Sequence, residues 1–145
     1  MPIEMDNCIF CKINNWDMSS YSVFQDEFIH AILDINPANE WHILVIPKKH
    51  YVNIFDIEDE YLEKIIACVK SLSNRLKDVY GYENINIVQS TWVVAGQEIN
   101  HFHFHIMPRK EWDNVNFTYK TDIEAKNHLS DTLNKLTFNN DDRAH

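Results

Sequence analysis

Residues 101–109 read His-Phe-His-Phe-His-Ile-Met-Pro-Arg. Three imidazoles alternate with large apolar side chains. In a strand, successive side chains point to opposite faces. His101, His103 and His105 then line one face, while Phe102, Phe104 and Ile106 pack the other against a core. The chain has eight histidines, so three within five positions is a concentration. A plain solvated strand face does not call for it, since Ser, Thr or Lys would serve equally well. Same-face neighbours lie ~6.6 Å apart and the outer pair ~13 Å apart, which prevents one metal ion from taking all three unless the strand bulges. A division of labour follows: one imidazole attacks, a neighbour handles protons and charge, and the third has another task. Imidazole suits attack on phosphorus, because a pKa near ~6.5 leaves it largely neutral and nucleophilic around neutrality. A carbonyl bonded to its second nitrogen fixes the tautomer, and a phospho-histidine splits one hard displacement into two easier ones.

A second constellation is Cys8-Ile9-Phe10-Cys11. A single CxxC fits half a zinc site, a redox pair or two buried thiols. The redox reading expects the pair to open a helix after a strand, and this N-terminal location does not supply that context. Zinc needs two further ligands. His50, after a strand end, and His101, at the start of the histidine row, are the candidates if those strands adjoin. Cys8, Cys11, His50 and His101 would make a closed tetrahedral site of structural kind.

Weaker signals surround these. Asp34, in Leu33-Asp34-Ile35-Asn36-Pro37, reads either as an acid for sugar hydroxyls or as a carboxylate capping its own turn; residue type and position favour the turn. Gly96-Gln97-Glu98 precedes the histidines. Gly96 allows close backbone approach and Gln97 can hydrogen-bond a phosphate or leaving group, although an ordinary loop explains them as well. His30 and His42 fall in strand patterns and read as structural residues. His128 lies on a helix, His145 is terminal, and Cys68 reads as core. The four tryptophans, Trp16, Trp41, Trp92 and Trp112, fall mostly in loops.

The elements that must position these groups follow from hydrophobic period and turn residues. Strands are expected at Ser22 to Gln25, Phe28 to Leu33, His42 to Pro47 and Asn84 to Gln89, with the histidine strand last. Ile57, Tyr61, Ile65, Val69, Leu72, Leu76 and Val79 recur at helical spacing. Asp56 is the expected N-cap of that long helix and Gly81 its stop. Asp122 to Leu136 is expected to form a C-terminal helix, and Asn139 to His145 a frayed end. Strands, one long helix, then strands again favour an α+β fold with an antiparallel sheet of about five strands.

Bulk properties narrow the function. The 145 residues suit one domain with a proper core. Thirteen Lys and Arg against 22 Asp and Glu give a net charge of −9, which argues against a nucleic acid polymer as partner. No apolar run approaches the ~20 residues of a membrane span. The acidic N-terminus lacks a signal-peptide pattern. Three cysteines without such a signal read as a reducing, cytoplasmic setting. Only two glycines occur, so no glycine-rich phosphate loop exists.

The motif His101-Phe-His103-Phe-His105-Ile-Met resembles the signature of the histidine triad (HIT) family. Cys-Ile-Phe-Cys-Lys-Ile at 8–13, Leu-Asp-Ile-Asn-Pro at 33–37, Leu-Val-Ile-Pro-Lys-Lys-His at 44–50, Ala-Gly-Gln-Glu at 95–98 and the trailing Met-Pro-Arg resemble bacterial HIT hydrolases. The resemblance spans about residues 8 to 112 of a single HIT domain, with 113–145 as a C-terminal extension. It implies a homodimeric α+β fold. The implied chemistry is hydrolysis or transfer on purine dinucleoside polyphosphates or nucleoside phosphoramidates. His103 would be the nucleophile, His105 its phosphate-facing neighbour, and Gln97 would lie near the leaving group. Ile9, Phe10, Ile13 and Ile35 match the base pocket, and Asp34 the ribose-binding acid. Cys8, Cys11, His50 and His101 match a zinc site like that of galactose-1-phosphate uridylyltransferase. Ser90-Thr91-Trp92 departs from the family's Asn-Asn-Gly or Asn-Glu-Gly, where the asparagine usually touches phosphate or ribose, and Trp41 replaces a glycine common before His42. The alternative implied by those departures is a nucleotide-binding adaptor or sensor with little turnover.

Overall fold

The computed structural model describes residues 7–136. The chain divides into two compact units, Met1–Asp113 and Asn114–His145. The first holds a helix α1 (Ile9–Asn14), strands β1 (Ser22–Gln25), β2 (Ile29–Leu33) and β3 (Ile43–Pro47), a long helix α2 (Asp59–Tyr80), and strands β4 (Asn84–Gln89) and β5 (Phe104–Arg109). A short 3-10 turn, Val93–Ala95, interrupts the loop between the last two strands.

The five strands form one antiparallel sheet in the order β1-β2-β3-β5-β4. β3 lies at its centre, and all five of its residues are buried. Its alternation sends Ile43 and Val45 to one face, where they meet Ile65, Val69 and Leu76 of α2 together with Phe102 and Ile106. Leu44 and Ile46 go to the other face and meet Cys8, Phe10 and Ile13 around α1. Fully burying each such aliphatic side chain contributes about 1.5–3 kcal/mol. The sheet is thus covered on both faces, and the histidine side of β5 is the side that α1 covers.

Sequence and structure differ at several ends. Asp56 does not cap α2. Its carboxylate accepts from the amides of Val52 and Asn53, at 2.9 and 2.8 Å, and so closes a preceding turn. The helix starts at Asp59 after Glu58. Gly81 closes it in the left-handed conformation, φ 78°. β5 begins at Phe104 rather than at His101, because β3 supplies partners only for Phe104, His105 and Ile106. His101 to His103 nevertheless keep the alternation, with Phe102 in the α2-side core.

In the second unit the expected C-terminal helix is two short ones, α3 (Ile123–Asn127) and α4 (Leu129–Lys135), broken at His128. Asp122 caps the first through the amide of Ala125. The stripe of Leu129, Leu133 and Leu136 is exposed. The expected fraying of Asn139 to His145 lies outside the described residues. Among the described residues, no helix is long and apolar enough to cross a membrane.

Candidate active site and metal centre

Two clusters of imidazoles grow from the segment leading into β5. The first gathers around His101, which is completely buried. Its Nε2 lies 2.9 Å from the carbonyl oxygen of Pro47, at the end of β3. A carbonyl can only accept, so Nε2 carries the proton and Nδ1 presents its lone pair. That Nδ1 lies 3.4 Å from Cys8 Sγ, 3.5 Å from Cys11 Sγ and 3.1 Å from His50 Nδ1. Cys11 Sγ lies 3.2 Å from His50 Nδ1. Cys8 is the N-cap of α1 and Cys11 sits one turn on, so the helix presents both thiols to one side. All four ligand atoms lie within 4.8 Å of one another.

This donor set fits a metal ion. Bonds of 2.0–2.3 Å in a tetrahedron place neighbouring ligand atoms roughly 3.3–3.8 Å apart, close to the spacings here. Burial pulls the His101 pKa down to about 4, only partly opposed by its bond to Pro47. The ring is therefore neutral, as a ligand must be. Burial pushes the Cys11 thiol up to about 12, with Cys8 adding to the effect. A thiolate pair in that position calls for a cation to hold it deprotonated.

The second cluster uses the other ring nitrogen. His103 Nδ1 lies 2.7 Å from the carbonyl oxygen of His101, so Nδ1 donates and Nε2 keeps its lone pair. Burial lowers its pKa from the usual value, against the raising influence of the backbone bond, Asp34 and Glu98. The ring is neutral and basic at Nε2. Phe10 holds both histidines by ring-edge contacts, at 5.7 Å from His101 and 5.3 Å from His103.

His105 shows the opposite tautomer, for a reason that starts five residues before β3. The amide of Ala38 donates to His42 Nδ1 at 2.9 Å. His42 Nε2 must then carry the proton, and it faces His105 Nδ1 at 2.9 Å, with Asp34 Oδ2 at 3.5 Å. His105 Nδ1 accepts, which leaves the proton on its Nε2. Burial lowers both pKa values, that of His105 to about 4 with help from His103 and His42. The rings of His103 and His105 lie 5.0 Å apart. One presents a lone pair and the other a hydrogen-bond donor.

Both line a cleft of about 420 Å³. Ile9, Phe10 and Ile13 of α1 form one wall, Asp34 and Ile35 another, and Gly96, Glu98 and Ile99 close the side. A hollow of about 600 Å³ near Trp41, Arg75 and Tyr80 has one charged group and no histidine or carboxylate in its walls. Size therefore does not pick the site; chemistry does.

The model of the HIT domain matches residues 17–112. The chain belongs to the HIT family. An uncharacterized HIT-like protein of Methanocaldococcus jannaschii is 48% identical over 106 residues, covering 73% of this chain and 81% of that one. The adenosine 5'-monophosphoramidase of Saccharomyces cerevisiae is 37% identical over 112 residues, 76% of this chain and 68% of that one. A crystal structure of a HIT family protein from Bacillus anthracis superposes with a TM-score of 0.79 at 31% identity, over 91% of this chain and 99% of that one. A zinc-bound histidine triad family protein from Mycobacterium smegmatis gives 0.73 at 27% identity, over 91% and 99%.

Within the HIT fold, the residues singled out in the sequence fall into three places. Cys8, Cys11, His50 and His101 meet in one cluster. Ile9, Phe10, Ile13, Asp34, Ile35, His103 and His105 meet around the cleft. Asp34 also caps its own turn, since Oδ1 accepts from the amide of Asn36 at 2.8 Å. Gln97 and Ser90 lie off the cleft wall. The Gln97 side chain is buried and holds the loop: it accepts from Trp92 N and donates to the carbonyls of Val52 and Ile99. The residue that sequence reasoning missed is His42. A histidine two positions from Leu44 shares its strand face, and Leu44 pairs with His105. That register was the signal, and it is invisible until β3 and β5 are known to adjoin.

Proposed function

We propose that the protein is a nucleotide hydrolase of the HIT type. Its substrates are purine dinucleoside polyphosphates or nucleoside phosphoramidates. The observation that carries the reading is the pair of opposite tautomers, His103 with a lone pair on Nε2 and His105 with a proton on Nε2, side by side in a half-apolar cleft.

The purine lies against Ile9, Phe10, Ile13 and Ile35, and the ribose hydroxyls against Asp34. His103 Nε2 attacks the α-phosphorus. A P–N bond forms as the bond to the leaving group breaks, and positive charge grows on the imidazole. The Nδ1–H bond to the His101 carbonyl stabilises that charge. His105 Nε2–H donates to a phosphate oxygen. Gln97 keeps its loop beside the departing group, with Ser90 in the same loop. Water then cleaves the P–N bond, yields the nucleoside monophosphate and returns His103 to its neutral form. Cys8, Cys11, His50 and His101 would hold a structural zinc, which would supply rigidity to the segment leading into β5. The protein works as a cytoplasmic homodimer. The phosphoramidase relative supports the bond class, and the zinc-bound relative supports the metal.

A panel of adenylylated and guanylylated substrates, with products identified for each, tests the reading. Release of nucleoside monophosphate by the wild type and its loss in folded His103→Asn is the expected result. Equal rates in the two proteins overturn it. The second reading, nucleotide binding with little turnover, is favoured by the indole of Trp92 beside the site. It predicts tight binding of nucleoside monophosphate with no product across the same panel.

A further inference from the structure

The chain has four tryptophans, and all four have positive φ: 64° at Trp16, 66° at Trp41, 68° at Trp92 and 64° at Trp112. Only a few per cent of non-glycine residues take such a conformation, so four of four by chance is roughly one in a million. Among the described residues, the one other non-glycine with positive φ is Asn114, a type that tolerates the left-handed region. Both glycines, Gly81 and Gly96, also have positive φ.

The local hydrogen bonds say which residue each position calls for. Trp16 follows the end of α1. Its amide bonds to Ile13 O at 3.2 Å and the next amide, Asp17, to Lys12 O at 2.8 Å. That pair of bonds is the Schellman ending, whose left-handed residue is usually glycine. Gly81 has the same left-handed conformation at the end of α2. Trp41 is the third residue of a turn closed by His42 N to Asn39 O at 3.2 Å. Positive φ at that position is the type II pattern, which requires glycine or asparagine. Trp92 has φ 68° and ψ 160°, in a region essentially confined to glycine. Trp112 is 93% exposed, so no packing explains its backbone. Trp41 stacks on Tyr80 at 4.7 Å and Trp16 leans on His30 at 6.0 Å. Those contacts place the rings without accounting for the shared φ.

Uniformity points to a single cause. Independent base changes in glycine codons would scatter over alanine, aspartate, valine, serine and others. One residue type at all four positions implies one codon with two meanings. UGA differs by one base from tryptophan's UGG and by one from glycine's GGA. We propose that the gene spells positions 16, 41, 92 and 112 with UGA, that its host decodes UGA as glycine, and that the natural polypeptide carries glycine at all four. The composition agrees: a chain of this length ordinarily holds about ten glycines, and this one has two.

The consequence reaches the site. Trp92 lines a cavity of about 460 Å³ together with Ile9, Glu98 and Ile99, and those three also line the cleft that holds His103. With glycine at position 92 this wall has no indole. That wall then keeps Ile9, Glu98 and Ile99, and the observation favouring binding without turnover disappears.

The test is protein purified from its native host, with peptide sequencing by mass spectrometry across the four positions and the four codons read from the gene. Glycine at all four, UGA at all four and an absence of tryptophan fluorescence are expected. Tryptophan at any one of them, or a UGG codon there, overturns the proposal. In heterologously made protein, Trp92→Gly raises Tm; a fall overturns the assignment of that position.

Discussion

His101 and His103 stand two residues apart on one extended segment, yet each presents the opposite ring nitrogen. His101 donates through Nε2 to Pro47 O and leaves Nδ1 for the cluster of thiols. His103 donates through Nδ1 to His101 O and leaves Nε2 for the cleft. Both rings are buried and neutral. The position of one carbonyl relative to each ring is what separates the imidazole turned to the thiols from the imidazole turned to the cleft. The alternating motif supplies three imidazoles on one face; the backbone around it assigns their jobs.

Substitutions that strike one side of this comparison should spare the other. The largest effect on rate is expected for His103→Asn, whose amide can still donate to the His101 carbonyl. Turnover should fall by roughly 10⁴-fold or more, with zinc content and Tm unchanged, as read by steady-state kinetics, metal analysis and thermal melting. Cys11→Ser should do the reverse. Zinc stoichiometry drops to zero and stability falls by several kcal/mol, measured by denaturant unfolding, while the fraction that stays folded keeps turnover within about tenfold of wild type.

His42→Phe should fall between these. It keeps a ring of similar bulk but removes the donor that fixes the tautomer of His105. A loss of roughly 10- to 100-fold in kcat is expected, the range for a group that orients another, with zinc retained. An unchanged kcat would mean that the His105 tautomer is set by something else. The smallest effect concerns pH. The folded pKa of His105 is depressed to about 4, mainly by burial, against about 6.5 in the unfolded chain. Between those values the unfolded state binds the extra proton, so stability is full above about pH 6.5 and declines as pH falls towards 4. His105→Asn should show a shallower decline over that window in urea titrations.

The sequence made the Cys8, Cys11, His50 and His101 cluster legible because its parts obey local rules. CxxC places two thiols on one helical turn, and His50 and His101 sit at ends of elements that adjoin. The face of the histidine row was legible for the same reason, through alternation alone. Less local features were not. Asp56 has the type and position of an N-cap, but its carboxylate is taken by the amides of Val52 and Asn53. His42 looked like a strand histidine because its partner lies 63 positions away in sequence. Gln97 has the chemistry of a phosphate ligand, yet its amide is spent on backbone groups of its own and a neighbouring loop. In each case a polar side chain had more than one suitor: turn amides took Asp56, a ring on the neighbouring strand took His42, and loop backbone took Gln97.

The central claim is that His103 attacks phosphorus through Nε2 while His101 serves the metal. Wild-type protein mixed with excess adenosine phosphoramidate, quenched in denaturing alkali and digested, tests it by peptide mass mapping. The account predicts a nucleotidyl group bonded through nitrogen to His103, absent from His101 and His105 and absent from His103→Asn. A nucleotidyl group on either of the other two histidines, or continued turnover with none formed on His103, would contradict it.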